Sequence, residues 1–299
     1  MRTRWVVLPF LLAACTPTPP APGPFDGQQA LEYVKAQLAF GPRVPGTDAA
    51  VKAGDWIVQA MRERADTVIE QRWVHVTATG DSLPLRNILA RWRPEATERI
   101  LYVTHWDSRP RSESASDTAR RRLPVPGAND GASGVGLFVA LGDLLKKTPP
   151  TIGIDFLFTD GEDYGEFGPP DTDVLLGAAY FADHLPSADY RPLFGILWDM
   201  IGDRDLRIPK EGNSVEKAGD VVDRVWQVAG ELGYAQYFTP DNIGPITDDH
   251  MPLLAKGLPV IDVIDLDYPW HHTPDDTIDK VSSISLKIVG DVAWAMLAR

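Results

Sequence analysis

The hydrophobic pattern alternates between helical and strand-like segments along most of the chain. Residues 28–39 have helical spacing, with Ala30, Val34 and Leu38 on one face. Residues 99–104 instead form a short apolar run of the kind found in strands buried on both faces. The same criteria predict helices at 49–64, 134–147, 176–184, 215–232 and 285–298, and strands at 67–77, 87–92, 152–159, 194–200 and 258–264.

Strands that alternate with helices in this order predict an α/β fold. We expect a single three-layer domain with a mixed, largely parallel sheet that is covered by helices on both faces. The length of 299 residues suits one large domain, and we find no internal repeat and no second linker.

The first residues differ from the rest of the chain. Arg2 and Arg4 precede an apolar run that ends at Ala14, which predicts a signal peptide over residues 1–14. The segment 12–15, L-A-A-C, resembles the lipobox of bacterial lipoproteins, although an ordinary secretory signal with an incidental Cys15 is the alternative. A lipid-anchored, Pro-rich linker is then expected over 15–24, followed by a single folded domain over 25–299.

This reading implies an exported bacterial lipoprotein that is anchored through Cys15 at the periplasmic face. Thr16 stands where retention in the inner membrane would require aspartate, so we favour the outer membrane. Cys15 is the only cysteine, so no internal disulfide can form.

The composition excludes some partners. A formal charge of −13 without a basic block argues against nucleic acid. No internal apolar stretch approaches the roughly 20 residues that span a bilayer, so membrane contact is expected only through the lipid anchor. We expect a monomer.

Candidate metal ligands follow the predicted strands, where parallel sheets place their ligand sites. Zinc binds imidazole and carboxylate donors of this kind. The five candidates are His105, Asp130, Asp163, Asp199 and His272.

Asp130 lies among small residues in P-G-A-N-D-G-A-S-G-V, which would allow close backbone approach and a carboxylate that bridges two metals. The alternative is that Asp130 or Ser133 only caps the following helix. His105 is followed two residues later by Asp107, which we expect to orient the imidazole from outside the metal site.

Two pairs of neighbouring residues divide their predicted roles. Glu162 is free to transfer protons while Asp163 binds metal. His272 is the predicted ligand and His271 points away, because adjacent side chains diverge. We expect the substrate pocket to be lined by Phe167, Tyr268, Trp270 and His271.

These motifs together resemble the M28 zinc aminopeptidase and glutaminyl cyclase superfamily. The matching segments are G-P-R-V-P-G-T, L-R-N-I-L-A, T-H-W-D-S, G-A-N-D-G-A-S-G-V, D-G-E-D, W-D-M-I-G-D, T-D-D-H and W-H-H-T-P-D-D-T, in family order. The resemblance implies a zinc aminopeptidase-like fold, with Asp130, Asp163 and His272 at the zinc position. It further implies His105 and Asp199 at a second-metal position.

The two activities of this superfamily both act on peptide or protein N-termini. The resemblance gives Glu162 the general acid/base position, with one zinc in a cyclase and two in an aminopeptidase. Asp248, in D-D-H-x-P, favours the cyclase, because aminopeptidases typically have serine there. Glu162, Asp199 and Asp248 are then the expected catalytic acids.

Two observations keep the activity open. Cyclases usually have Glu-Glu where this chain has Glu162-Asp163, so the expected ligand is one methylene shorter. A non-catalytic surface binding protein on the same fold is a further alternative, although none of the five ligand positions is lost.

Overall fold

The computed structural model describes residues 23–298. The expected signal peptide, Cys15 and most of the Pro-rich linker lie outside these described residues. The strands are β1 (Thr67–Val76), β2 (Ser82–Trp92), β3 (Arg99–His105), β4 (Gly153–Thr159), β5 (Phe194–Asp199), β6 (Ile208–Lys210), β7 (Phe238–Asn242) and β8 (Val260–Ile264). The helices are α1 (Gly27–Leu38), α2 (Asp48–Arg62), α3 (Ala132–Lys147), α4 (Leu176–Asp183), α5 (Gly212–Glu231), α6 (His250–Ala255) and α7 (Ser283–Leu297).

Six strands form the central sheet in the order β1-β2-β4-β3-β5-β8. The strands β4, β3, β5 and β8 run parallel, whereas β1 and β2 add an antiparallel edge. The prediction of a mixed, largely parallel sheet is therefore confirmed. The short β6 and β7 form a separate two-stranded sheet that the hydrophobic pattern did not predict.

The sheet has an apolar layer on each face because successive side chains of a strand point to opposite sides. On β3, Ile100 and Tyr102 join the larger core, which includes residues of α1, α2, α3, α5 and α7. Leu101 and Val103 join the smaller core, which includes residues of α4. The expected three-layer arrangement is confirmed.

Capping side chains begin the first two helices. The Asp26 carboxylate accepts a hydrogen bond from the Gln29 amide at 3.0 Å and begins α1. The Thr47 hydroxyl accepts one from the Ala50 amide at 3.3 Å and begins α2. No helix within residues 23–298 combines the length and apolar character needed to cross a bilayer.

Candidate metal centre

The parallel strands bring the predicted ligands to one edge of the sheet. His105 is the last residue of β3 and Asp199 the last of β5. Asp163 lies in the loop after β4, and Asp130 in the loop before α3. His272 lies eight residues beyond the end of β8. All five are buried.

Asp130 occupies the centre of this group. Its Oδ1 lies 3.1 Å from Nε2 of His105, and its Oδ2 lies 3.8 Å from Nε2 of His272. Nε2 of His105 is also 3.2 Å from Oδ1 of Asp199, and Nε2 of His272 is 3.1 Å from Oδ1 of Asp163. One carboxylate oxygen thus faces each histidine, which is the arrangement expected of a bridging carboxylate.

The donor atoms fit a divalent metal. Asp130 Oδ2 and Asp163 Oδ2 are buried and have no hydrogen-bond partner within the described part of the chain. A buried acceptor without a partner is costly, and a cation would compensate both oxygens. Two carboxylate oxygens together with the His272 imidazole form a donor set that zinc binds.

The backbone around Asp130 requires a glycine. Gly131 has a φ of 89°, and a Cβ there would lie 2.6 Å from the carbonyl oxygen of Asp107 and 3.1 Å from Cε1 of His105. No side chain caps α3, and the Ser133 hydroxyl instead donates to the carbonyl of Asn129. The capping alternative is therefore wrong, and the Asp130 carboxylate is directed into the site.

Asp107 contacts both His105 and the neighbouring loop. Its Oδ1 is 3.6 Å from Nδ1 of His105, a buried electrostatic contact that is longer than a hydrogen bond. Its carboxylate also accepts from the backbone amides of Glu162 at 3.2 Å and Asp163 at 3.3 Å. Asp107 therefore faces the second nitrogen of His105 and also positions the two acids that follow β4.

A second buried carboxylate holds the Asp130 loop in place. Asp276 accepts from the amides of Asn129 at 2.9 Å and Asp130 at 3.2 Å. It also accepts from the Tyr268 hydroxyl at 2.6 Å. This role depends on contacts more than 140 positions apart in the chain, so local sequence does not reveal it.

The two adjacent histidines do not diverge. His272 has a φ of 54°, which turns the backbone so that the ring centroids of His271 and His272 lie 3.7 Å apart. Ligand atoms of both rings and of Asp130 lie within 4.8 Å of one another. The expectation that His271 points away is therefore wrong, although the contact of His272 with Asp163 still favours His272 as the ligand.

Arg109 and Glu113 belong to the site but were not predicted from the sequence. Nη1 of Arg109 donates to Oδ1 of Asp163 at 2.8 Å, and its Nε donates to Oε1 of Glu113 at 2.6 Å. Glu113 Oε1 is also 2.9 Å from Nδ1 of His272. Burial alone would raise the pKa of Glu113, but its bonds to His272 and Arg109 lower it to about 2.

The surroundings shift the pKa values of the site acids in different directions. Burial, and then the charge of Asp163, raise the pKa of Glu162 well above its ordinary value. Burial, and then Asp199, do the same to Asp248. Burial opposes ionisation of Asp130, but its bond to His105 and the charges of the nearby histidines together outweigh this and lower the Asp130 pKa. Metal binding would favour the deprotonated donors.

A cavity of about 670 Å³ opens over these groups. Its wall includes Asp130, Glu162, Asp199, Asp248, His272, Arg109, Glu113, Phe167, His271, Met200, Ile246, Ile264 and Leu266. The cavity thus combines the catalytic candidates with an apolar side, which suits a ligand that is partly apolar and partly polar.

Two of the four predicted pocket residues are corrected. Phe167 and His271 line the cavity, whereas Tyr268 and Trp270 do not. Tyr268 is buried with its hydroxyl on Asp276. The Trp270 ring packs under the Lys280 ammonium, which lies 4.5 Å from the ring centroid.

The sheet, with histidines and carboxylates collected at its carboxyl edge, defines a zinc exopeptidase-like α/β protein. The model of peptidase family M28 matches residues 87–297, so the chain belongs to this family. This family comprises zinc-dependent enzymes, among them aminopeptidases and glutaminyl cyclases.

The solved structures of a zinc-dependent exopeptidase and of a glutaminyl cyclase are similar to this chain. A zinc-dependent exopeptidase of Parabacteroides distasonis is 34% identical, with a TM-score of 0.88 and coverage of 93% of this chain and 100% of that one. The glutaminyl cyclase of Bacteroides thetaiotaomicron bound to N-acetylhistamine is 33% identical, with a TM-score of 0.88 and coverage of 93% and 99%.

A curated relative is longer than this chain. Aminopeptidase YwaD of Bacillus subtilis is 26% identical over 231 residues, which is 70% of this chain. The match spans only 43% of that aminopeptidase. Similarity alone therefore leaves the particular reaction to be argued from the site.

Proposed function

We propose that this chain is a zinc-dependent glutaminyl-peptide cyclotransferase, which converts the N-terminal glutamine of peptides or proteins to pyroglutamate and releases ammonia. The observation that carries this proposal is Asp248. Its carboxyl group is 4% exposed and lines the same cavity as Glu162 and Asp199. The similarity to glutaminyl cyclases over more than nine-tenths of the chain supports the same reading.

The three acids suit proton transfer better than a second metal. Burial, and then Asp199, raise the pKa of Asp248, which disfavours its ionised form. A protonated Asp248 next to Asp199 reduces the negative charge that a second cation would need. Burial and Asp163 raise the pKa of Glu162, and the charge of Asp248 raises it further, so the ionisation of Glu162 is linked to that of Asp248.

The zinc would be held by Asp130, Asp163 and His272. Zinc supplies a Lewis acid that polarises the carbonyl of the glutamine side-chain amide. The α-amine of the same residue attacks that carbonyl carbon, and Glu162 accepts the proton that the amine loses. Glu162 then gives this proton to the departing nitrogen, so that the amide bond breaks and ammonia leaves.

The cavity fits this substrate in shape and charge. The ring closure needs no external nucleophile, because attacking amine and target amide belong to one residue. The apolar wall, with Phe167, Ile246 and Leu266, would exclude water around the uncharged side chain. The buried acids on the opposite side would receive the amine.

One observation favours aminopeptidase activity as a second candidate. Ligand atoms of His105, Asp130 and Asp199 lie within 4.8 Å of one another and could hold a second metal. With two zincs, the peptide bond after the first residue would be hydrolysed, and Glu162 would accept a proton from the attacking water.

Peptides that begin with glutamine or leucine separate these activities. We expect ammonia release from the Gln peptide without chain shortening, no free leucine from the Leu peptide, and one tightly bound zinc per chain. Free leucine together with two zincs would contradict the cyclase proposal. Glu216→Gln, at an exposed position of α5, is the matched control for variants of the site and should leave both readouts unchanged.

We further propose that the protein acts outside the cytoplasm as a monomer that is lipid-anchored through Cys15. A Cys15→Ser variant of the full chain should then appear in the soluble periplasmic fraction, while the unaltered protein sediments with outer membranes. Equal sedimentation of both would exclude the anchor. Size-exclusion chromatography of the variant tests the monomer.

A further inference from the structure

We propose that Arg109 and Glu113 are positioning residues that join two zinc ligands, with Glu113 orienting His272 and Arg109 linking Glu113 to Asp163. This inference rests on the ligand set of the proposed function. Both residues lie in the irregular segment between β3 and α3, the segment that also contains Asp130.

Glu113 determines which imidazole nitrogen is free to bind metal. Its Oε1 lies 2.9 Å from Nδ1 of His272, so Nδ1 carries the proton and donates it. Nε2 of His272 then presents its lone pair toward Asp163 and Asp130, at 3.1 Å and 3.8 Å. A carboxylate that accepts from the distal nitrogen fixes the tautomer and the ring orientation of a metal-binding histidine.

Arg109 bonds to both the main chain and the side chain of Asp163, the other ligand. Its Nη1 donates to the carbonyl of Asp163 at 3.0 Å and to Oδ1 of the same residue at 2.8 Å. Oδ2 of Asp163 is left without a partner among the described residues and is available to a metal. Asp163 is one methylene shorter than glutamate, and the guanidinium holds both its main chain and its side chain at the depth that the site needs.

The same guanidinium connects the two ligands. Nε of Arg109 donates to Oε1 of Glu113 at 2.6 Å, on the oxygen that also faces His272. The result is a continuous chain of hydrogen bonds from Asp163 through Arg109 and Glu113 to His272. Only a planar guanidinium with several donors can bond to both carboxylates in this way.

Phe167 covers the bridge from the side of the cavity. Cζ of Arg109 lies 5.6 Å from the centroid of its ring, and the His272 ring lies 6.5 Å from it on a nearly parallel plane. The ring covers Arg109, whose ion pair with Asp163 is buried on both sides and is therefore strengthened. Arg109 itself is 2% exposed, whereas the Glu113 side chain remains 38% exposed.

Zinc affinity distinguishes this role from a purely structural one. We would measure the zinc dissociation constant of the metal-free full chain by competition with a chromogenic chelator. For Glu113→Ala and Arg109→Lys we expect affinity to fall about 10–100-fold, as is typical when the outer partner of a ligand is removed. Glu113→Gln, which keeps an acceptor oxygen for Nδ1, should lose less than Glu113→Ala.

Two further readouts accompany the affinity. The metal-free Glu113 variants should unfold at a somewhat lower temperature, because the ion pairs of Glu113 with Arg109 and His272 are lost, so zinc affinity is compared well below the unfolding transition of each variant. In the zinc-bound protein, nitrogen NMR shifts of His272 should report a protonated Nδ1 and a metal-bound Nε2 in the wild type, and a mixture of the two tautomers in Glu113→Ala. Unchanged tautomers, or zinc loss that only follows a lower unfolding temperature, would overturn the proposal.

His272→Ala and Asp163→Ala in the same assay separate this inference from the proposed function. If these two lose zinc while the Arg109 and Glu113 variants bind like the wild type, only the positioning role is refuted. If His272→Ala and Asp163→Ala also bind like the wild type, the ligand set itself is wrong. Glu216→Gln serves as the control for a carboxylate change elsewhere on the surface.

Discussion

The two ends of the parallel strands both bury charged groups, but in opposite ways. Near the amino end, the Asp155 carboxylate on β4 accepts from Arg91 at 3.0 Å, from Arg99 at 2.7 and 2.8 Å, and from the Tyr190 hydroxyl at 2.8 Å. Both oxygens of this fully buried group have partners, and two arginines face one carboxylate. This end is complete as it stands.

The carboxyl end instead has more acids than cations and leaves oxygens of Asp130 and Asp163 without partners in the described residues. Its backbone carries residues with left-handed φ, at Met200 and His272, which costs free energy. Buried charge therefore does not by itself mark a functional site. Unbalanced charge with unsatisfied acceptors does, because a cation is needed to complete it.

The largest effect should come from Glu162→Gln, which removes the proton acceptor at the carboxyl end of the strands. We expect kcat to fall by about 10²–10⁴-fold, which is typical for general acid/base groups. Zinc content should stay unchanged because Glu162 is not among the ligands. Steady-state kinetics and elemental analysis test both; a variant with normal turnover would contradict the assigned role.

Asp155→Asn tests the amino end of the strands, where this carboxylate is paired with Arg91 and Arg99. The change leaves Arg91 and Arg99 buried without a counter-charge, so the free energy of unfolding should fall by about 3–5 kcal/mol. Activity per folded molecule should be unchanged. Urea denaturation measures this loss of stability. The matched variant at the carboxyl end, Asp248→Asn, should instead stabilise the metal-free protein by about 0.5–2 kcal/mol.

The pH dependence should differ between the metal-free and the zinc-bound protein. Burial raises the pKa of Asp249 and Asp276 to about 7, from 3.8. Their protonated forms stabilise the fold below about pH 4, and this contribution disappears as pH rises through about 7. Metal-free stability should therefore decrease over this interval.

Zinc should reverse this trend, because binding displaces protons from its ligands and becomes tighter as pH rises. The zinc-induced increase in unfolding temperature should be larger at about pH 8 than at about pH 5. Differential scanning calorimetry at several pH values checks this. A zinc effect that is independent of pH would contradict the assignment of histidine and carboxylate ligands.

The smallest expected effect is on KM, and it distinguishes a residue of the cavity wall from a neighbour outside it. Phe167→Ala should raise KM a few-fold, since an aromatic contact is worth about 0.5–1.5 kcal/mol beyond its buried area. Trp270→Ala should leave KM unchanged, because the ring lies outside the cavity. Equal effects of both substitutions on a Gln-peptide substrate would show that the cavity has been wrongly defined.

The long elements and the convergence of the five candidate ligands at one sheet edge could be predicted from local pattern. Continuous apolar runs gave β3, β4 and β5, and polar residues at strand ends gave the site, because both depend on neighbours in the sequence. The short β6 and β7 could not be found in this way, since three to five residues carry too little periodicity.

Other parts of the site depend on tertiary contacts. Arg109 and Glu113 stand in an irregular segment, and their partners Asp163 and His272 lie 54 and 159 positions away. The direction of His271 depends on the left-handed φ of His272, which no residue preference indicates for histidine followed by threonine.

The most direct test of the central claim is anomalous diffraction at the zinc edge from crystals of the metal-loaded protein. The account predicts a strong peak that is coordinated by Asp130, Asp163 and His272. A zinc-loaded, active protein whose peak lies away from these three side chains would contradict it.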